Sequence, residues 1–133
     1  MRLKYGTNPQ QPFAEASGID GGKTPIELLN GTPSMVNFLD ALNAWQLVRE
    51  LREALDLPAA ASFKHVSPAG AAVAVELDDD LAQSYEVGGR ELTPAALAYV
   101  RARGADPKCS FGDIAALSDP VDEATANFIK GVV

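Results

Sequence analysis

The sequence predicts an α/β layered domain, on three observations. A long amphipathic helix pattern occupies about 37 to 56. Short apolar runs bounded by turn residues follow at 59–65, 71–77 and 114–117. Between and after them lie helix start signals, for 78–83, 94–103 and 121–129. Strands that alternate with helices along a chain pack as layers around one core. With 133 residues, 47% of them hydrophobic and 22% charged, the chain is long enough to bury such a core without disulfide staples.

Each element has its own warrant. Residues 1–34 are rich in turn signals ("GTNPQQP", "GIDGGK", "NGTPS") and read as an extended arm with one short strand, Ile26-Glu27-Leu28-Leu29. In the first helix Phe38, Ala41, Leu42, Trp45, Val48, Leu51 and Leu55 recur at three- and four-residue spacing. Arg49, Glu50, Arg52 and Glu53 lie on the other side. Asn37 is its expected cap, and Asp40 suits the positive end of the helix dipole. Pro58 ends it, because the residue before a proline is steered away from helical backbone. Asp78 to Gln83 carries acids where a helix begins, and "VGGR" stops it. Thr93-Pro94 supplies a cap followed by proline at the first helical position, and Gly104 closes that helix. Val132-Val133 reads as the opening of a further strand.

Composition narrows the functions open to the chain. A formal charge of −7 argues against binding nucleic acid, whose phosphates demand clustered Lys and Arg. No apolar run reaches the roughly 20 residues that cross a bilayer, and "MRLKYGTNPQ" has no apolar signal core. A cytoplasmic protein with no membrane partner is therefore expected. One cysteine, Cys109, and one histidine, His65, exclude an intrachain disulfide and leave no ligand set for a structural zinc. Cys109 is read as a small structural residue.

The segment "SFKHVSPAG" at 62–70 holds that single imidazole beside Lys64. Histidine titrates near neutrality, so a positioned imidazole can take and return a proton, and a neighbouring ammonium can face developing negative charge. A strand-end histidine bonded to backbone and a solvated lysine are the competing readings. Consecutive strand residues point to opposite faces, so both heads serve one site only where the strand breaks. Pro68 restricts Ser67 and lacks an N–H, which takes the chain out of the ladder by about Val66, and Gly70 allows a tight turn. Arg101 and Arg103, two residues apart on a helix, do not form one phosphate clamp and read as solvated or partner-facing.

Four blocks, "LKYGTNPQQP", "LNGTPSMVNFLDALNAWQLVRELREAL", "PAAASFKHVSPAGAAV" and "AYVRARGADPKCSFGDIAALSDPVD", stand in an order and spacing that resembles AICAR formyltransferase. That family formylates 5-aminoimidazole-4-carboxamide ribonucleotide (AICAR) with 10-formyltetrahydrofolate as cosubstrate, in purine biosynthesis and without a metal. The resemblance implies a three-layer, cytidine-deaminase-like subdomain, a mixed sheet with flanking helices. It further implies that His65 is the general base and Lys64 the oxyanion stabiliser, and that Lys4, Tyr5 and the backbone at Gly112 bind the ribonucleotide. Lys4 stands where many members have arginine, keeping the charge and losing the bidentate fork. Gln10 replaces a common histidine, and Pro107-Lys108-Cys109 a more usual Arg-Met-Ser.

The chain starts almost on "KYG", so the resemblance is to the stand-alone type without the inosinate cyclohydrolase domain. The family continues beyond "VV" into a second subdomain that supplies further substrate and folate residues. Residues 1–133 are thus expected to be the first subdomain, acting as a homodimer or with a companion chain that supplies the second. A non-catalytic remnant, serving as a nucleotide-binding or oligomerisation module, is the alternative.

Overall fold

The computed structural model describes residues 1–132, which form two compact units, 1–39 and the remainder from Asp40. In the first unit the leading residues pair antiparallel with 14–16. Leu3 N–H donates to the Ala14 carbonyl (2.9 Å), Ala16 N–H to that of Met1 (2.9 Å), and Arg2 and Glu15 form an isolated bridge. Lys4 N–H donates to Pro33 O (2.8 Å) and Met35 N–H to Tyr5 O (3.1 Å), so the "KYG" backbone is zipped to the segment 33–35. The strand expected at 26–29 does not form. Leu29 is 87% exposed, and a lone extended segment with no neighbour has no ladder to join.

The helices are α1 (Met35–Leu55), α2 (Asp79–Ser84), α3 (Pro94–Gly104) and α4 (Glu123–Val132); the strands are β1 (Ala59–Lys64), β2 (Ser67–Val73) and β3 (Ile114–Leu117). The sheet order is β2-β1-β3. The α/β class is as expected, but both strand pairings are antiparallel where a mixed sheet was expected. Val132, read as the start of a strand, ends α4 instead, and Val133 lies outside the described residues.

β1 alternates between two cores, which makes the unit three-layered. Ala59, Ala61 and Phe63 pack with Ala44 and Val48 of α1 on one face. Ala60, on the other, packs with Ala98, Tyr99 and Ala102 of α3, flanked by Phe128 and Ile129 of α4. The small side chains of this strand let helices approach both faces closely. The buried stripe of α1 is Asp40, Ala44 and Val48, with Leu47 and Leu51 packed beside it. Trp45 and Leu55, expected inside, are 46% and 52% exposed.

The caps explain where the helices begin. Ser34, rather than Asn37, opens α1: its Oγ accepts from Asn37 N–H (3.3 Å) while Asn37 Oδ1 accepts from Ser34 N–H (3.2 Å) and Oγ–H (2.8 Å). That is the reciprocal capping arrangement, with asparagine in the place usually held by Glu or Gln. Thr93 caps α3 as expected, accepting from Ala96 N–H at 3.2 Å. Asp122 caps α4, accepting from Thr125 N–H at 2.7 Å, and the bonds from Thr125 hold its carboxyl below the usual range.

A depressed pKa means that the cap contributes above the unfolded value, about 3.9, and is lost as pH falls through the folded value. Amide protection at Thr125 is therefore expected to fall selectively below about pH 4. Asp122→Ala should show that loss at every pH, and hydrogen exchange followed residue by residue checks both. Among the described residues no helix is long and apolar enough to cross a membrane.

Candidate active site

The candidate dyad sits at the end of the central strand. β1 stops at Lys64, β2 starts at Ser67, and His65-Val66 form a two-residue hairpin loop between them. Both loop residues have positive φ, 54° and 61°. That is the type I′ pattern, whose twist suits a hairpin and whose usual residues are Asn and Gly. The chain turns at 65–66, as the proline suggested, but Pro68 does not leave the ladder and Gly70 makes no turn. Pro68 pairs with Phe63 and Gly70 with Ser62, and the register shifts between them. β2 is an edge strand, where a missing N–H is tolerated, and a bulge at Ala69 absorbs the extra residue.

Histidine visits this conformation more often than most side chains, but Val66 is not a residue that chooses it. Left-handed backbone costs about 1–2 kcal/mol per ordinary residue, and a β-branched side chain is a poor occupant. A buried side chain from α1 offsets the strain. Val66 N–H donates to Oδ1 of Asp40 at 2.5 Å, and Asp40 is only 4% exposed. A hydrogen bond to a charged group contributes about 1.5–3 kcal/mol, comparable to the cost of the turn. Sequence reasoning assigned Asp40 to the helix dipole. The available signal was its place on the stripe continued by Ala44, Leu47, Val48 and Leu51, a carboxylate at a core position.

Lys64 is held from the opposite side. Its Nζ donates to the Phe111 carbonyl at 2.6 Å, one residue before Gly112. Gly112 has φ 67° and open space where a Cβ would be, so it is there for backbone conformation. The loop that carries it, "SFGD", is tied to β1 by a second bond. Ser62 Oγ, fully buried, donates to Asp113 Oδ2 at 2.5 Å and lies 2.8 Å from Ser110 Oγ. Ser62 and Lys64 share one face of β1, two residues apart, so two successive side chains of that face fasten the same loop. Phe111 itself is 75% exposed beside the lysine.

Around this junction the ionisable groups are ordered. Tyr99 of α3 is buried, and its pKa is pushed up first by that burial and then by the charge of Asp113. Arg103, one turn later, carries a charge that draws that pKa back down, and its Nε is buried with no hydrogen-bond partner among the described residues, so this arginine reaches inward. Cys109 is exposed, not a structural core residue. Its thiol pKa is raised first by the hydrogen bond to Asp106, whose own carboxyl is lowered by the same partner. Among the described residues no group of three or more His, Cys, Asp and Glu is placed to hold a metal ion.

The structure thus brings Lys64 and the backbone next to Gly112 together, with His65 adjoining Lys64 in the turn. Lys4 and Tyr5 belong to the first unit, where the Lys4 ammonium lies 6.0 Å from the centre of the Tyr5 ring, a cation–π distance.

Comparison with known proteins places these segments in one family. The family model described as the AICARFT/IMPCHase bienzyme matches residues 1–133. The chain belongs to that family. Among its relatives are proteins named "Bifunctional purine biosynthesis protein PurH". The one from Deinococcus deserti is 33% identical over 133 residues, covering 98% of this chain. That from Deinococcus radiodurans is 32% identical over the same length, and that from a Nostoc species 35% over 127 residues. The chain spans about a fifth of the length of these curated relatives, 22% of the two Deinococcus proteins and 21% of the Nostoc one. Family membership accounts for the order of the blocks at 3–12, 29–55, 58–73 and 98–122.

Proposed function

We propose that this chain is the first subdomain of an AICAR formyltransferase of purine biosynthesis and carries its Lys64–His65 dyad. The observation that supports this most is the junction itself. The Lys64 ammonium is fixed at the end of β1 by the Phe111 carbonyl, beside an imidazole in a strained turn. Strain of this kind persists where surrounding structure enforces it, and it collects at functional sites.

In the proposed reaction the 5-amino nitrogen of AICAR attacks the formyl carbon of 10-formyltetrahydrofolate. His65 accepts the proton that the nitrogen sheds. Lys64 faces the oxyanion that forms on the formyl oxygen, where a fixed cation stabilises charge that develops only in the transition state. The bond from the formyl carbon to the folate nitrogen then breaks, and the proton returns to that nitrogen. The Phe111 carbonyl orients the ammonium without neutralising it, so its charge remains available. Lys4, Tyr5 and the Gly112 backbone would hold the ribonucleotide. A second subdomain, from a homodimer partner or a companion chain, would hold the folate and complete the site.

Calorimetric titration of the 133-residue chain with AICAR, beside the Lys64→Ala/His65→Ala double variant, tests this. Saturable binding is expected, weakened by about tenfold or more in the variant, in line with the loss of a hydrogen bond to a charged group. Absence of binding by a well-folded chain would remove the preformed acceptor site and favour a non-catalytic scaffold or oligomerisation module.

A further inference from the structure

We propose that Asp40 is a positioning residue for His65, holding the peptide between His65 and Val66 in the one orientation that keeps the imidazole in the hairpin turn. The proposal rests on the reading of His65 as the general base. Val66 N–H belongs to the planar unit that also carries the His65 carbonyl, so fixing that N–H fixes ψ of His65 and φ of Val66 together. The bond to Asp40 Oδ1 reaches across 26 residues of sequence and comes from a helix packed on the sheet.

Local sequence does not hold this turn. A type I′ loop asks for positive φ at both positions, which Asn-Gly adopts readily and which the β-branched Val66 resists. Rotation of the 65–66 peptide would let Val66 return to negative φ, converting the turn to the II′ form, in which only the first loop residue keeps a positive φ. Such a rotation relieves the β-branched residue and redirects the backbone that carries the imidazole. Asp40 blocks it by giving the N–H a buried acceptor on one side only. The device couples α1 to the reactive end of β1, and it explains why a carboxylate occupies a core position on the helix.

Nuclear magnetic resonance on the full chain tests the idea, with wild type, Asp40→Ala, Asp40→Asn and the double variant Asp40→Ala/Val66→Gly. In wild type, strong amide-to-own-Hα cross-peaks at His65 and Val66 report positive φ, and the Val66 amide exchanges slowly. Asp40→Ala should weaken the Val66 cross-peak, shift the His65 ring signals, and speed Val66 exchange by about 10- to 100-fold, the range set by losing a hydrogen bond to a charged group. The amides of Ala60 to Ser62 should stay protected. Asparagine keeps an acceptor oxygen, so Asp40→Asn should retain the turn and speed Val66 exchange by only about three- to tenfold. Glycine at 66 tolerates positive φ and should restore the His65 ring signals in the alanine background.

Unchanged Val66 signals in Asp40→Ala, or a loss of protection spread evenly over the whole unit, would overturn the proposal. If Asp40→Ala does not fold, Asp40→Asn decides, because an unchanged Val66 amide in that variant has the same consequence. Adding AICAR separates the two readings. Wild-type His65 ring signals that ignore the nucleotide, while the turn still responds to Asp40, would remove the functional reading and leave the hold of Asp40 on the turn intact.

Discussion

Replacing Gly70 by alanine is expected to destabilise the protein by about 3 kcal/mol, at the upper end of the usual cost of overpacking. A Cβ at this position would fall 2.1 Å from the Ala102 carbonyl oxygen and 2.9 Å from the Ala105 Cβ. The first obstacle is backbone inside α3, which no side-chain rotation can clear. Either α3 lifts off the sheet or β2 bends away from β1, and both changes open the core formed by Ala60, Ala98, Tyr99 and Ala102. The partner of Gly70 across the ladder is Ser62, so the damage reaches the level of the strand that fastens the "SFGD" loop. For a domain of this size the cost corresponds to a fall in Tm of about 10 °C. Thermal unfolding followed by circular dichroism measures it. A variant that melts with the wild type would show that this close approach of helix to sheet is not required.

This glycine also shows where the sequence could and could not be read. Thr93-Pro94 and Gly104 bracketed α3 because caps and terminators are local chemistry. The apolar run 114–117 emerged as β3 because it is a short apolar stretch between polar turns. The hairpin was harder. Local sequence marks Pro68 as a breaker, yet a proline is harmless on an edge strand, and which strand lies at the edge is a property of the assembled sheet. Gly70 looks like a turn residue for the same reason, since its neighbour Ala102 is 32 positions away in the chain.

The first helix was found but rotated. Its apolar residues fit two overlapping stripes, and the buried one contains Asp40 and excludes Trp45. Hydrophobic period alone favours the stripe without the carboxylate. The selection of the other is made by a tertiary bond to Val66 that no window of local sequence contains. In the site the lysine, the histidine and the glycine were legible as a motif. The residues that hold them, Asp40, Ser62 and Asp113, were not, because each acts through a partner 26 or more positions away.

Asp113→Ala is the second change expected to have a large effect, and it separates the loop fastening from general stability. Ser62 is fully buried and Ser110 is 2% exposed, so neither hydroxyl can turn to bulk water when the carboxylate is gone. Leaving a buried polar group short of a partner costs about 1–3 kcal/mol. Ser62→Ala should cost a similar amount, because it strips the half-buried Asp113 of the bond from Ser62. The double variant should cost clearly less than the sum, since removing both partners leaves less unsatisfied than removing either one. Urea unfolding of the four proteins gives this coupling directly.

Two further readouts locate the effect at the site. Without the Asp113 tether the Phe111 carbonyl is free to move, so Lys64 loses its 2.6 Å acceptor and amide exchange across 110–113 should quicken before the rest of the unit responds. Tyr99 should ionise at lower pH than in wild type, because the charge of Asp113, the second cause of its upward shift, is gone. Additive single-variant costs, with loop exchange unchanged, would mean that Ser62 and Asp113 merely coexist and that Lys64 is held in place by other contacts.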